Sequence, residues 1–431
     1  MGPLNWEGRD TLNKWSTATA AFSVLASVMV FAADRTTLTG KVTDASGKPL
    51  ERATVIVYHA GVKQGYSTFC PSCYTDCGKR AITDASGAFT ISGLSRDLWF
   101  ELLVVRDGYT STFVKKVDPL KGPPATAALT VRPPAGDPSR VVRGRVLDSH
   151  GSPMRDAVVE PEALLIGLGP KTIYGTPEGL DPVAVTNEKG EFEIAYTEPT
   201  SKMALMVEAR AMAPKFVILP TGSKRQTVTV SDGALVKGRL VDNGKPVGGA
   251  EIGLGPSQPW FGEDNLAISG SFYDEIRIGT QEDGSFAITN VPAPEKWNIY
   301  GKMESIASRG ATDPVAIATA HDNQEVDVGN IEIKRGYRLR GKVVLSDHKA
   351  VPDGMRIFIT SDRARDVQTV LLAADGSFEF VGLAAGKYFL GPSVKGYKRQ
   401  KDGAEIEALI DHDVDSFVIG LDPVGGTSTQ R

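Results

Sequence analysis

Apolar and polar residues alternate in short runs along most of the chain, and Gly, Pro, Asp and Asn break the runs at close intervals. Phe89 and Ile91 form one such run, and Phe378 and Phe380 form another. A period of two places alternate side chains on one face, so these segments predict half-buried β-strands. Less interrupted apolar runs at 100–105, 204–209, 297–300 and 388–390 predict further strands. Closing strands are expected at 127–131, 227–230, 326–333 and 417–421. No segment shows a convincing amphipathic-helix period, so the pattern reads as all-β.

The pattern occurs four times. G-K-V-T-D-A-S-G-K-P-L begins at Gly40, G-R-V-L-D-S-H-G-S-P-M at Gly144, G-R-L-V-D-N-G-K-P-V at Gly238, and a looser copy at Gly341. The starting glycines lie about 100 residues apart, the length of a domain rather than of a solenoid repeat. A second landmark follows in each copy. It reads T-D-A-S-G-A-F from Thr83, T-N-E-K-G-E-F from Thr186, T-Q-E-D-G-S-F from Thr280 and A-D-G-S-F from Ala374. Asp or Asn opens a hairpin turn there, Gly takes the φ > 0 position, and Phe begins the next strand. These turns lack the ligand spacing of a calcium loop. Expected units span 37–133, 140–231, 233–334 and 336–425. The landmarks of the last copy are closer together, so it is expected to lack the insertion that the other three carry.

Composition changes this picture little. The 46 Gly and 26 Pro residues suit a turn-rich fold, and the formal charge of −4 gives no reason to expect nucleic acid or acidic lipid as a partner. The N-terminus adds more. Arg9 and Lys14 precede a mostly apolar stretch at 20–33, short for a membrane span but suited to the core of a signal peptide. Residues 1–33 are therefore expected to be a signal peptide or, if uncleaved, an anchor. The expected location is secreted, periplasmic or cell-surface.

The G-x-V-x-D-x-x-G-x-P stretch followed by T-D-x-x-G-x-F resembles the carboxypeptidase regulatory-like domain. The resemblance implies a tandem array of four Ig-like or transthyretin-like β-sandwiches, related to collagen-adhesin B-type modules, over nearly all of 37–425. It implies no activity, because fold does not fix function. Nor do the residues supply one. His59, His150, His321, His348 and His412 sit in no zinc-peptidase pattern, and there is neither a nucleophile elbow nor a phosphate loop. No cofactor is expected.

Two insertions carry the remaining chemistry. All three cysteines, Cys70, Cys73 and Cys77, fall within eight residues of the first unit. In an exported protein they suggest a disulfide staple, of Cys70 or Cys73 with Cys77. The alternative is a zinc or copper(I) site completed by Asp76 or His59. Thiol exchange through the C-x-x-C pair is a third reading. In the third unit, Trp260, Phe261, Phe272 and Tyr273 stand in a Gly- and Ser-rich stretch, placed to stack on a sugar or grip a protein. The expected function is a non-catalytic binding or scaffold protein with a carbohydrate or cell-surface protein partner. The rival reading is an accessory module of a hydrolase or of a redox or metal-handling system, acting through the cysteine loop.

Overall fold

A computed structural model describes residues 35–72, 74–134, 136–165, 172–257, 275–364, 366–400 and 405–424. The stretch expected to be a signal peptide or anchor, 1–33, and the aromatic insertion therefore lie outside the described residues. Strands dominate what is described, in eight sheets that fall into four successive pairs. Four apolar clusters, each made almost wholly from one pair, fill the space between its sheets.

The first pair shows the plan. Its opening strand, Arg35–Asp44, lies at the centre of one sheet, antiparallel to Ala88–Ser95 and parallel to the closing strand Ala125–Leu129. The facing sheet runs in the order Arg80–Ile82, Thr54–Val62, Leu98–Val105, Thr112–Val117. The fourth pair repeats the plan around Tyr337–Leu345, again with a parallel closing strand, Val414–Pro423. Here Arg356–Ser361 passes to Val367–Leu371 through a short turn, where the first pair has a long insertion, as the landmark spacing predicts. The only helical elements among the described residues are one turn at Met303–Ile306 and a 3-10 turn at Pro138–Arg140.

The two sequence landmarks of each copy are a single structural unit. Gly40 pairs across the strands with Phe89, Gly144 with Phe192, Gly238 with Phe286 and Gly341 with Phe378. The phenyl ring lies over the bare glycine. A Cβ on Gly144 would sit 2.2 Å from the Phe192 ring, and one on Gly341 2.4 Å from that of Phe378. The glycine that opens each repeat is thus the socket for the aromatic that closes its hairpin, a cross-strand arrangement that also fixes register. In the first three copies the threonine before the hairpin is buried. Thr83, Thr186 and Thr280 each donate to a carbonyl, that of Leu50, Met154 and Val247 respectively, and accept from the amide of Ala53, Ala157 and Ala250.

The turn residues behave as the pattern predicts. Gly87, Gly190, Gly284 and Gly376 have φ between 74° and 84°. The Asp84 carboxylate accepts from the Ser86 hydroxyl and from the amides of Ser86 and Ala88, and Asn187 holds the equivalent turn with its amide oxygen. These bonds favour the ionised carboxylate. The pKa of Asp84 is lowered mainly by the Ser86 hydroxyl, that of Asp148 mainly by the Ser152 amide, and that of Asp375 to about 2, mainly by the Ser377 hydroxyl. A depressed carboxyl contributes stability that is fully present above its unfolded pKa, near 4, and is lost as pH falls through the folded value. Hairpin stability should therefore hold down to about pH 4 and decline below it, at the Asp375 turn as pH falls toward about 2. Asp84→Asn, which copies the turn at Asn187, should remove that hairpin's share of the pH dependence. An acid titration followed by NMR of the turn amides checks both statements.

Candidate functional site

The cysteine insertion leaves strand Thr54–Val62 and returns at Arg80–Ile82. It is organised around Asp76, whose side chain is 1% exposed. One Asp76 oxygen accepts from Arg35 at 2.7 Å and from Lys79 at 2.6 Å, and the other accepts from the Ser95 amide at 2.8 Å. A buried carboxylate with three donors is a structural anchor, and its lone pairs are committed. His59, the other proposed fourth ligand, lies 2.8 Å from Glu101 through its Nδ1. Among the described residues no three His, Cys, Asp or Glu side chains are grouped to hold a metal.

Cys77 carries a free thiol, so the staple expected through Cys77 is not formed. The thiol donates to the Pro71 carbonyl at 3.3 Å and packs with Tyr74 against the first core. Burial pushes its pKa up to about 12. At neutral pH it is protonated, and a thiol rather than a thiolate is a poor nucleophile and metal ligand. Cys70 Sγ lies 3.1 Å from the Ser72 hydroxyl. Cys73 is outside the described residues, as are Trp260, Phe261, Phe272 and Tyr273.

What the insertion does make is a contact with the fourth sheet pair. The Tyr66 amide donates to the Gly354 carbonyl at 3.2 Å, and Arg356 donates to the Gln64 carbonyl at 3.0 Å. The Thr68 amide and hydroxyl meet the buried Ser393 hydroxyl at 3.0 and 2.7 Å. Phe69 packs edge-on against Phe358, and Tyr66 covers the fourth core. Gly65 and Gly354, both at positive φ, touch backbone to backbone. A Cβ on Gly65 would lie 1.9 Å from the Gly354 carbonyl oxygen, so glycine alone fits there.

The insertion also reaches the third pair, where the Thr75 hydroxyl accepts from Arg277 at 3.0 Å. Arg277 belongs to a buried charge cluster at the joint of the third and fourth pairs. The Lys302 ammonium, 5% exposed, lies 2.7 Å from Asp366 and 2.9 Å from Glu275, themselves 4% and 5% exposed. Glu275 also accepts from Tyr300 and pairs with Arg277, and Asp366 accepts from the Met303 amide at 2.7 Å. Burial raises the pKa of Asp366, against the pull of Lys302, and raises that of Tyr300 well above its usual value. Nothing in the sequence marked these residues. Glu275 and Arg277 stand at the start of one strand of the third pair and Lys302 at the end of another, and Asp366 reaches them from the fourth.

A groove of about 720 Å³ runs between the first and second pairs, with Tyr58, Phe113, Pro161, Thr176 and Glu178 among its lining residues. Tyr58 stacks edge-on with Phe113 at 5.4 Å and lies 3.3 Å from the Thr176 hydroxyl.

Comparison with known proteins places the two ends of the chain. Residues 37–132 match the profile of the carboxypeptidase regulatory-like domain, and residues 334–414 match that of the BOS complex subunit NOMO1-like, second beta sandwich domain. No curated protein matches the chain. Among solved structures, a streptococcal ancillary pilin is similar at 14% identity and a TM-score of 0.22, covering 66% of this chain and 100% of its own. The TIE protein of Bacillus anthracis aligns at 10% identity and 0.18, over 91% of this chain and 75% of its own. A minor pilin of Streptococcus agalactiae aligns at 14% and 0.24, over 46% of this chain and 99% of its own. At such scores these likenesses carry no argument about function. The resemblance to the carboxypeptidase regulatory-like domain stands, carried by residues 37–132, and a second β-sandwich profile covers most of the fourth copy.

Proposed function

We propose that the chain is an exported, non-catalytic scaffold. In this reading four β-sandwich modules, 37–133, 140–231, 233–334 and 336–425, are held together by contacts between them, and grooves and insertion loops are presented to a carbohydrate or cell-surface protein. The observation that carries it is the contact between the first and last modules through the cysteine insertion, which commits that loop to architecture rather than chemistry. Export rests on the apolar stretch at 20–33. Among the described residues no helix is long and apolar enough to cross a membrane. Binding of the mature chain to glycan and surface-protein arrays tests the proposal. Selective capture of a partner that competes for the Tyr58–Phe113 groove or the 258–274 insertion supports it. Turnover by the purified chain alone would overturn it.

The cysteine loop belongs to this reading as a staple. Cys70 is inferred to be closed in a disulfide, leaving Cys77 as the free thiol. Thiol counting on the unreduced chain should give one thiol, reacting slowly until the protein is denatured. Three thiols with one bound zinc would replace the staple by a metal site.

A further inference from the structure

The joints between modules differ in kind. The first and second modules share an apolar cluster of Ile56, Leu103, Val105, Val158, Val183 and Val185, flanked by ion pairs of Arg52 with Asp156 and Arg80 with Glu208. The third and fourth are joined by the Lys302 cluster and by Met303, which packs into the fourth core. Between the second and third, among the described residues, no apolar cluster crosses. That joint is held by polar contacts. Asn290 donates to the Ala211 and Asp232 carbonyls at 2.9 and 2.8 Å, and Ser231 donates to Asp322 at 2.7 Å. Its connecting residue Gly233 has a φ of 71°. Polar, half-exposed joints give way before apolar ones, because water replaces their bonds at little cost.

We infer that the molecule is a two-part clamp, in which the first two modules and the last two move as halves about a hinge at 231–233, and Gln64, Gly65, Tyr66, Thr68, Phe69 and Thr75 of the cysteine insertion form the latch that closes them. Closed, the latch lies on Gly354, Phe358 and Ser393 of the fourth module and on Arg277 of the third. Open, it uncovers Phe358 and the Ser393 hydroxyl, which is otherwise buried. The latch bonds form within one chain, so the effective concentration of its ends favours closure, and removing a few bonds shifts the population. This goes beyond the scaffold reading, since a rigid array and a clamp present their grooves differently.

Small-angle scattering on the full mature chain tests it. The wild type should scatter as the compact closed form. Gly65→Val should break the latch, raise the radius of gyration and lengthen the maximum dimension, while strands Thr54–Val62 and Arg356–Ser361 keep their amide protection. The pair S393A with R356M removes the Thr68 and Gln64 bonds without touching a glycine and should open the chain in the same way. A T68C and S393C cross-link, made in a Cys77→Ser background, should restore the compact form to an R356M variant. Unchanged scattering in the S393A/R356M chain would overturn the clamp, whether or not Gly65→Val folds. So would opening that the cross-link fails to reverse.

Discussion

Lys302→Ala should be the most damaging single change of a charged residue in this chain. Lys302 is the one ammonium lying between Glu275 and Asp366, and all three side chains are about 5% exposed or less. Without it two carboxylates remain buried, held by the Arg277 guanidinium and the Tyr300 hydroxyl at Glu275 and by the Met303 amide at Asp366. Breaking a buried pair from one side costs about 3–5 kcal/mol, mostly the desolvation of the charge left behind. The loss should depend on pH with a definite sign. Asp366 already has a raised pKa because of burial, and removing its cation raises it further. A carboxyl whose folded pKa is raised contributes stability that is fully present below its unfolded value and lost as pH rises through the folded value. The deficit of Lys302→Ala should therefore be large at neutral pH and shrink as pH approaches about 4. Combining it with E275Q and D366N should recover part of the loss at neutral pH. Urea denaturation of the wild type, Lys302→Ala and the combined variant at both pH values measures this. A deficit independent of pH would show that Lys302 matters for packing of its stem and not for its charge.

How much of this was visible in the sequence depends on how local the cause is. Turns and strand faces are local. The φ > 0 glycines, the capping aspartates and the buried phenylalanines at 89, 192, 286 and 378 followed from neighbours within a few residues. That Gly40 and Phe89 face each other needs the register, although both stood out as repeated landmarks. The parallel pairing of the closing strand with the opening one had no sequence mark. The joints were the least legible. Glu275, Lys302 and Asp366 come from separate elements, and a charged residue in such a stretch ordinarily faces water. The architectural role of the cysteine loop was hidden for a related reason. Three thiols in eight residues point to a staple or a metal site, whereas the residue that organises the loop is Asp76, and the residues that join it to the fourth pair are Gly65, Thr68 and Phe69. Those latch residues have meaning only through a surface about 290 residues away along the chain, such as Gly354 and Arg356.

The glycine socket makes a prediction of comparable size in the second module. Phe192 is 4% exposed and lies among Val142, Val146 and Leu205 in the second core. Phe192→Ala should cost about 3–5 kcal/mol, the transfer of the ring plus the cavity it leaves over Gly144. Gly144→Ala should also be harmful, because its new methyl would stand 2.2 Å from the same ring and the ring or the strand must move. The two losses should not add. With the ring gone, the methyl enters the vacated socket, where the three nearest atoms it would have met all belong to Phe192. The double variant should thus be no less stable than Phe192→Ala alone, an interaction energy of at least about 1 kcal/mol in the cycle. Denaturation followed by amide exchange in strand Lys202–Glu208 isolates the second module from its neighbours. Simple additivity would mean that the pairing of landmark glycine and landmark phenylalanine is a coincidence of register, and that the repeated pattern of this chain has some other cause.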